Sequence, residues 1–170
     1  MEVKEAIEKR RSTRKYKNKS LPLHLVERLL YYANMAPSAG NLQARDFIIV
    51  DDESLKEKIA EAAYGQEFLK DAPVLVVFCA NLKRIAPYGE RGKLYCIQDV
   101  AASIQNFLLA ALDEGLATCW VGAFDEERVK KLLGIPPWIK PIAIVTLGYG
   151  DEEAYSSRMD IKELIHYNAW

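Results

Sequence analysis

The sequence predicts a single α/β or α+β domain, a central sheet covered by helices, and three observations carry that reading. Short apolar runs of strand length recur at Phe47–Val50, Pro73–Ala80, Thr118–Phe124 and Pro141–Tyr149. Stretches with apolar residues three and four apart alternate with those runs. No repeat or low-complexity linker interrupts the 170 residues, so residues 1–170 read as one domain.

Taken in order, Met1–Lys9 reads as a short helix with Val3, Ala6 and Ile7 on one face. Ser20-Leu21-Pro22 is placed to start a second, with Ser20 near its cap and Leu25, Val26, Leu29, Leu30 and Ala33 as its apolar stripe. Pro37-Ser38-Ala39-Gly40-Asn41 ends it in a loop. After the strand at Phe47–Val50, Ser54 is positioned to cap a helix running to about Ala63. Gly65–Asp71 reads as a connector into the strongest strand signal, and Asn81–Lys93, with Pro87, Gly89 and Gly92, as a loop. From Leu94 to about Glu114 the chain is Ala-rich and apolar on more than one side, a helix that needs cover all round and so points to a subunit interface. Asp125 is placed to cap a helix to Leu133, and the polar tail from Asp151 has a short amphipathic piece near Ile161–Ile165.

Composition excludes several classes. Half the residues are hydrophobic, 28% are charged and the net charge is −1, with no apolar stretch of membrane-spanning length. Met1 is followed by Glu2, Lys4 and Glu5 where a secretory signal would be apolar, so a cytoplasmic location is expected. Cys79, Cys96 and Cys119 are far apart and odd in number, which suits reduced core thiols better than disulfides or zinc ligands. His24 and His166 stand alone, so no metal site is expected.

Three segments bear chemistry. Residues 9–19 read KRRSTRKYKNK, seven cations and no acid, directly after the first helix. Arg10, Arg11 and Arg14 around Ser12 suit a phosphate monoester, since guanidinium groups grip phosphate bidentately and a hydroxyl adds a bond. A solvated basic loop is the other reading. Nucleic-acid binding is disfavoured, because Tyr16 alone offers a nearby ring for stacking and the whole chain is not basic. Second, Ala36-Pro-Ser-Ala-Gly-Asn-Leu-Gln43 combines small residues, which let backbone approach a planar ligand, with the amides of Asn41 and Gln43; it also suits an ordinary helix-ending loop. Third, Val121, Gly122 and Ala123 at a strand end leave backbone N–H groups unobstructed, although a plain buried strand end would read the same way. No GxGxxG follows a strand, there is no GxxxxGK[ST], and no Ser/His/Asp or Cys/His set is spaced for nucleophilic catalysis.

In order, these segments resemble the nitroreductase family of flavoproteins. RRSTRKY is similar to the family's arginine–serine–arginine signature, APSAGNLQ to its flavin-contacting loop, and GQEFLKDAPVLVVFCA to its connector and central strand. DVAASIQNFLLAALDEGLATCWVGAF resembles the long dimer-core helix and the strand that follows, and LGIPPWIKPIAIVTLGYG with the ELIHYNAW tail completes the likeness. The chain departs at Ala44-Arg45, where the family often has Pro-Trp, and at Ser156-Ser157-Arg158, where a second basic residue is common. Its Asn81–Lys93 segment is short beside the excursion that covers the flavin in larger members.

The resemblance implies a nitroreductase-like α+β fold with a central mixed sheet, in an intertwined homodimer with FMN sites at the subunit interface. Arg10, Arg11, Ser12, Arg14 and Arg158 would hold the phosphate. Pro37, Ser38, Ala39, Asn41 and Gln43 would reach the flavin from the other subunit, Gln66 would touch ring or ribityl, and backbone of Val121, Gly122 and Ala123 would face the ring edge. Hydride would pass from NAD(P)H to flavin N5 and on to a small nitroaromatic or quinone-like acceptor, ping-pong. The cofactor carries that chemistry, so no catalytic side chain is expected. Two alternatives within the resemblance are a non-catalytic FMN-binding carrier or regulatory dimer, and a flavin-modifying or reductive-dehalogenating enzyme.

Overall fold

Strands β1 (Arg45–Val50), β2 (Val74–Asn81), β3 (Ala117–Val121) and β4 (Ile139–Gly148) form one sheet in the order β1-β2-β4-β3. The computed structural model describes residues 1–152 and 155–170. Helices α1 (Val3–Lys9), α2 (Leu23–Asn34), α3 (Glu53–Ala62), α4 (Phe68–Asp71), α5 (Gly89–Asp113) and α6 (Glu126–Leu133) surround it. The architecture is the expected α+β one. Its four strands pair antiparallel throughout, and among the described residues parallel pairing is confined to the bridge of Ser12 to Thr118.

β2 explains why one run of the sequence shows no polar alternation. Val74, Val76, Phe78 and Ala80 face a core shared with Val26 and Leu29 of α2 and Ile104 and Phe107 of α5. Leu75, Val77 and Cys79 face a second core with Ile59 of α3, Leu69 of α4 and Val129 of α6. A strand covered on both faces has no side left for polar residues. Phe78 joins its layer together, edge to face with Phe47 and with Phe107 at centroid distances of 5.3 Å in each case.

β4 holds a proline in a central strand, which the pairing accommodates. The register of β2 on β4 slips between Phe78, opposite Ala143, and Cys79, opposite Pro141. Pro141, which has no N–H to give, therefore sits at a bulge and outside the stretch that β3 pairs with. Further along, Gly148 is packed so closely that a Cβ there would lie 2.5 Å from Pro73 Cδ and 2.9 Å from Tyr16 Cδ1.

Several boundaries differ from the sequence expectations. α2 starts after Pro22 with no side-chain cap, so Ser20 lies before it. Asp52, not Ser54, caps α3 by accepting from Leu55 N. The connector holds α4, and the expected loop Asn81–Lys93 contains a 3-10 turn (Ala86–Tyr88) and the first turn of α5. Gly89 and Gly92 disguise that helix start, and Gly92 is there because Ile85 O lies 2.8 Å from where its Cβ would be. Asp125 does cap α6, accepting from Arg128 N at 3.0 Å. The tail carries a 3-10 turn (Ile161–Glu163) with its apolar side chains exposed. All three cysteines are buried thiols, and none of the described helices is long and apolar enough to cross a membrane.

Two stability tests follow from this packing. Gly148→Ala should destabilise by about 1–3 kcal/mol, because the methyl meets a proline ring and a buried tyrosine that cannot both retreat. The urea midpoint should fall with an unchanged m-value, and an unchanged midpoint would refute the close contact. Burial pushes Cys79 from 9.0 up to about 12, and raises Tyr16, Cys96 and Cys119 as well. These acids are neutral in the fold and would ionise more readily unfolded. Their contribution is therefore complete below pH 9 and is lost as pH rises towards about 12. The urea midpoint should decline steadily above pH 9, and a level profile to pH 11 would contradict it.

Candidate functional site

The basic segment leaves α1 and joins the sheet at the free edge of β3. Ser12 bridges Thr118, and Thr13 N donates to Thr118 O at 2.9 Å. Tyr16 pairs with Gly150, and its buried hydroxyl bonds Thr13 O at 2.6 Å and Thr146 Oγ1 at 2.5 Å. This attachment places Arg14, Ser12 and Arg10 close enough to Cys119 of β3 to favour its thiolate, although burial raises its pKa overall. Burial pushes the Arg10 guanidinium below its ordinary value, and the charges of Arg158 and then Arg11 push the same way. Arg158, far off in sequence, thus belongs to the same cluster. Its Nη1 donates to Ser156 Oγ and Ser157 O, both at 2.9 Å.

Two other residues define this cluster's limits. Arg11 is engaged elsewhere, donating to Glu8 O at 2.5 Å and Arg10 O at 2.8 Å, where it closes the last turn of α1. Glu152 accepts the backbone N–H of Arg14 at 2.8 Å. Among the described residues, none of Arg10, Arg11, Arg14 and Arg158 forms a salt bridge. Arg10, Arg11 and Arg14 around Ser12 in the chain, with Arg158 near Arg10, thus form a cationic group without a salt-bridge partner among the described residues.

Gln66 belongs to this side too. Its Nε2 donates to Ala63 O and to Ala123 O, both at 2.9 Å, tying the end of α3 to the backbone that leaves β3. Gly122 and Ala123 are exposed there while Val121 is buried, so their backbone is open to a ligand.

The loop from Pro37 to Gln43 is built differently. Ser38 O accepts from Asn41 N and Ser38 Oγ accepts from Gln43 N, both at 3.0 Å. Ala39 N donates to Asp99 Oδ1 of α5 at 3.0 Å, and Pro37 O accepts from Arg45. Gly40, Asn41 and Gln43 have φ of 56°, 54° and 51°. Left-handed backbone at two non-glycine residues so close together is strained and needs surrounding structure to hold it. Tyr88 packs on the loop, its hydroxyl 2.5 Å from where a Gly40 Cβ would be, and the positive φ of Gly40 favours glycine there as well.

The two groups stand at opposite corners of the sheet. Thr118 pairs with Leu147 and hence lies level with Val74, whereas Arg45 lies level with Ala80 on the far edge. At roughly 4.8 Å between strands and roughly 3.3 Å per residue, that separation is roughly 25 Å. One chain therefore brings Arg10, Ser12, Arg14, Arg158, Gln66 and Val121–Ala123 together, and sets Pro37, Ser38, Ala39, Asn41 and Gln43 apart from them.

Sequence reasoning missed Asp99, Cys119, Tyr88 and the use made of Arg45. Asp99 had a signal, being the one charged residue between Leu94 and Leu112. Cys119 and Tyr88 had none, because their places come from tertiary contacts.

Known proteins share the sequence and the fold of this chain. The sequence pattern described as the Nitroreductase family matches residues 7–66 and 62–149. A Methanothermobacter thermautotrophicus protein with the provisional name NADH dehydrogenase/NAD(P)H nitroreductase is 34% identical, covering 100% of this chain and 88% of its own. A Thermus thermophilus protein named NADH dehydrogenase is 32% identical over 97% of this chain and 95% of its own. A solved Parabacteroides distasonis structure, provisionally titled NADH dehydrogenase/NAD(P)H nitroreductase, superposes with a TM-score of 0.88 at 28% identity, covering 98% of this chain and 97% of that one. On the sequence pattern, the relatives and the fold together, this chain belongs to the nitroreductase family and is an oxidoreductase.

Proposed function

We propose that the chain is an FMN-dependent NAD(P)H oxidoreductase that acts on a small nitroaromatic or quinone-like acceptor, its flavin sites completed by a second copy of itself. The observation that carries the reading is the cationic group around Ser12 at the β3 edge. A phosphate monoester brings close to two negative charges and several acceptor oxygens, and so fits mutually repelling guanidinium groups beside a hydroxyl. We assign the phosphate to Arg10, Ser12, Arg14 and Arg158, and leave Arg11 as the cap of α1.

Past the clamp, the edge of β3 offers the rest of a flavin site. Gln66 holds Ala123, and the exposed Gly122 and Ala123 let backbone reach the ring. Flavin, when bound, accepts a hydride from the nicotinamide and passes it on. The residues of this chain bind and orient, and none has to exchange a proton for that purpose.

A homodimer follows from separation and from exposed apolar surface. No flavin spans the roughly 25 Å between clamp and loop, so Pro37, Ser38, Ala39, Asn41 and Gln43 serve a site whose clamp comes from a second copy. Leu94 and Ile97 of α5 and Val3 and Ile7 of α1 are exposed. So is the tail, with Tyr167 at 84% and Trp170 at 100% exposure. Exposed apolar residues on this many elements supply surface for association.

The first test is spectroscopic. The purified protein should carry or take up FMN, and NADH or NADPH added without oxygen should bleach its visible absorption. Flavin that stays oxidised would reduce the chain to a binder or carrier, and no flavin at all would overturn the reading. At residue level, Arg10→Ala should weaken FMN binding about 10- to 100-fold, the worth of a charge-assisted bond of about 1.5–3 kcal/mol. Riboflavin, which lacks the phosphate, should be nearly unaffected. Equal losses would remove Arg10 from the clamp.

A further inference from the structure

Arg45 is a cation where a flavoprotein loop meets a sheet edge, and it is only 3% exposed. Its guanidinium is fully occupied. Nε donates to Asn34 Oδ1 at 3.1 Å, Nη2 to Asn34 O at 2.8 Å and to Ala36 O at 2.7 Å. Nη1 donates to Pro37 O at 3.3 Å and to Asp99 O at 3.2 Å. Four of these five acceptors belong to the end of α2 and the start of the loop, whose carbonyls have no helical partner of their own. The fifth belongs to α5, so one side chain ties loop, helix end and the long helix together.

Asp99 completes the arrangement from the α5 side. It is 6% exposed, and Oδ1 accepts the Ala39 N–H that opens the 3-10 turn Ala39–Asn41. Its other oxygen, Oδ2, has no hydrogen-bond partner among the described residues. A buried carboxylate so incompletely bonded depends on a nearby cation, and the Arg45 guanidinium is the charge that faces it. Asn34 extends the network, since its Nδ2 lies 3.4 Å from Gln43 Oε1 while its Oδ1 takes Arg45 Nε. On the outer side, Arg84 Nη1 donates to Gln43 O at 2.7 Å and Arg45 O at 3.0 Å.

We infer that Arg45 and Asp99 are positioning residues for flavin, which fix Ser38–Gln43 in its left-handed backbone so that a second copy's flavin meets a preformed loop; this rests on the FMN reading above. Neither residue touches the flavin. Where the family often has Pro-Trp, this chain uses a buried guanidinium bonded to the loop carbonyls and to the Asp99 backbone O, with the Asp99 carboxylate holding Ala39 N. The strained φ values at Asn41 and Gln43 need such support, because each would relax in a free loop.

Binding to a loop that is correctly shaped for only a fraction of the time weakens affinity by that fraction. In full-length protein, Arg45→Met should raise the Kd for FMN and for riboflavin together by about tenfold, if the loop is ordered about a tenth of the time. This equal loss separates it from a phosphate contact, where riboflavin is spared. Amide exchange at Ala39, Asn41 and Gln43 should accelerate by a similar factor, with the amides of β2 and β4 unchanged. Arg45→Lys keeps the charge but reaches fewer carbonyls, and should fall between wild type and Arg45→Met. Asp99→Ala, which frees the Ala39 N–H, provides the same two readouts if Arg45→Met fails to fold. Wild-type exchange and wild-type affinity for both flavins in the variants would overturn the inference. A wild-type protein that binds no flavin would instead overturn the FMN reading, and this inference with it.

Discussion

The antiparallel pairing of β2 with β4 sets how far apart the two edges of the sheet lie, and the site is arranged around that spacing. β2 and β4 are covered on both faces, so neither offers backbone or side chain to a ligand. Exposed backbone is left at the outer edges, where the basic segment docks on β3 and the Pro37–Gln43 loop leads into β1. A chain with this strand order cannot bring its own two edges together without opening its core. In the proposed homodimer, a second copy would present its β1 edge where the first presents β3, and the subunit interface would then be part of the site.

The two edges are held by different physics. At β3 the cluster is cationic and partly wet, and its order comes from backbone pairing of Ser12, Thr13 and Tyr16. Its arginines repel one another, a cost that the proposed anion would offset. At β1 the charges are buried, the Arg45 guanidinium is fully hydrogen-bonded while Asp99 Oδ2 is not, and the loop is strained. Removing one of two such neighbouring buried charges leaves the other uncompensated. The β1 edge is therefore held by internal bonds, whereas the arginines of the β3 edge have no salt-bridge partner among the described residues. Preorganised surface on one side and unbalanced charge on the other is a division suited to holding a flat ring by one end and its phosphate by the other.

Much of this was legible in the sequence, for reasons that can be named. Strand cores were visible because a run such as Val74–Ala80, buried on both faces, must be apolar throughout. The Asp125 cap and the Gly134 stop made α6 easy to place. What failed was local competition. Asp52 and Ser54 are both good caps, and the structure starts the helix at Glu53, which leaves the cap to Asp52. The start of α5 was hidden because Gly89 supplies a positive φ and Gly92 a close approach to Ile85 O there, against the usual meaning of glycine in a helix. Likewise the phosphate residues share a sequence signature, whereas Arg45 and Asp99 lie 54 residues apart and are joined only by tertiary contact.

Cys119 shows why the clamp's floor is as important as its cations. The thiol lies beneath Arg10, Ser12 and Arg14, all of which favour its thiolate, yet burial outweighs them and keeps its pKa raised. A thiolate there would neutralise one guanidinium and repel an incoming phosphate. An aspartate at the same place would do so permanently, and a serine would present a hydroxyl in need of partners within an apolar core. A small neutral thiol meets both demands: it packs with Val121 and Ile144 as a hydrophobe and contributes no charge. The cationic field at the β3 edge is thus preserved by what the core beneath it declines to ionise, and the proposed anion binding there would depend on the burial of Cys119 as well as on the arginines.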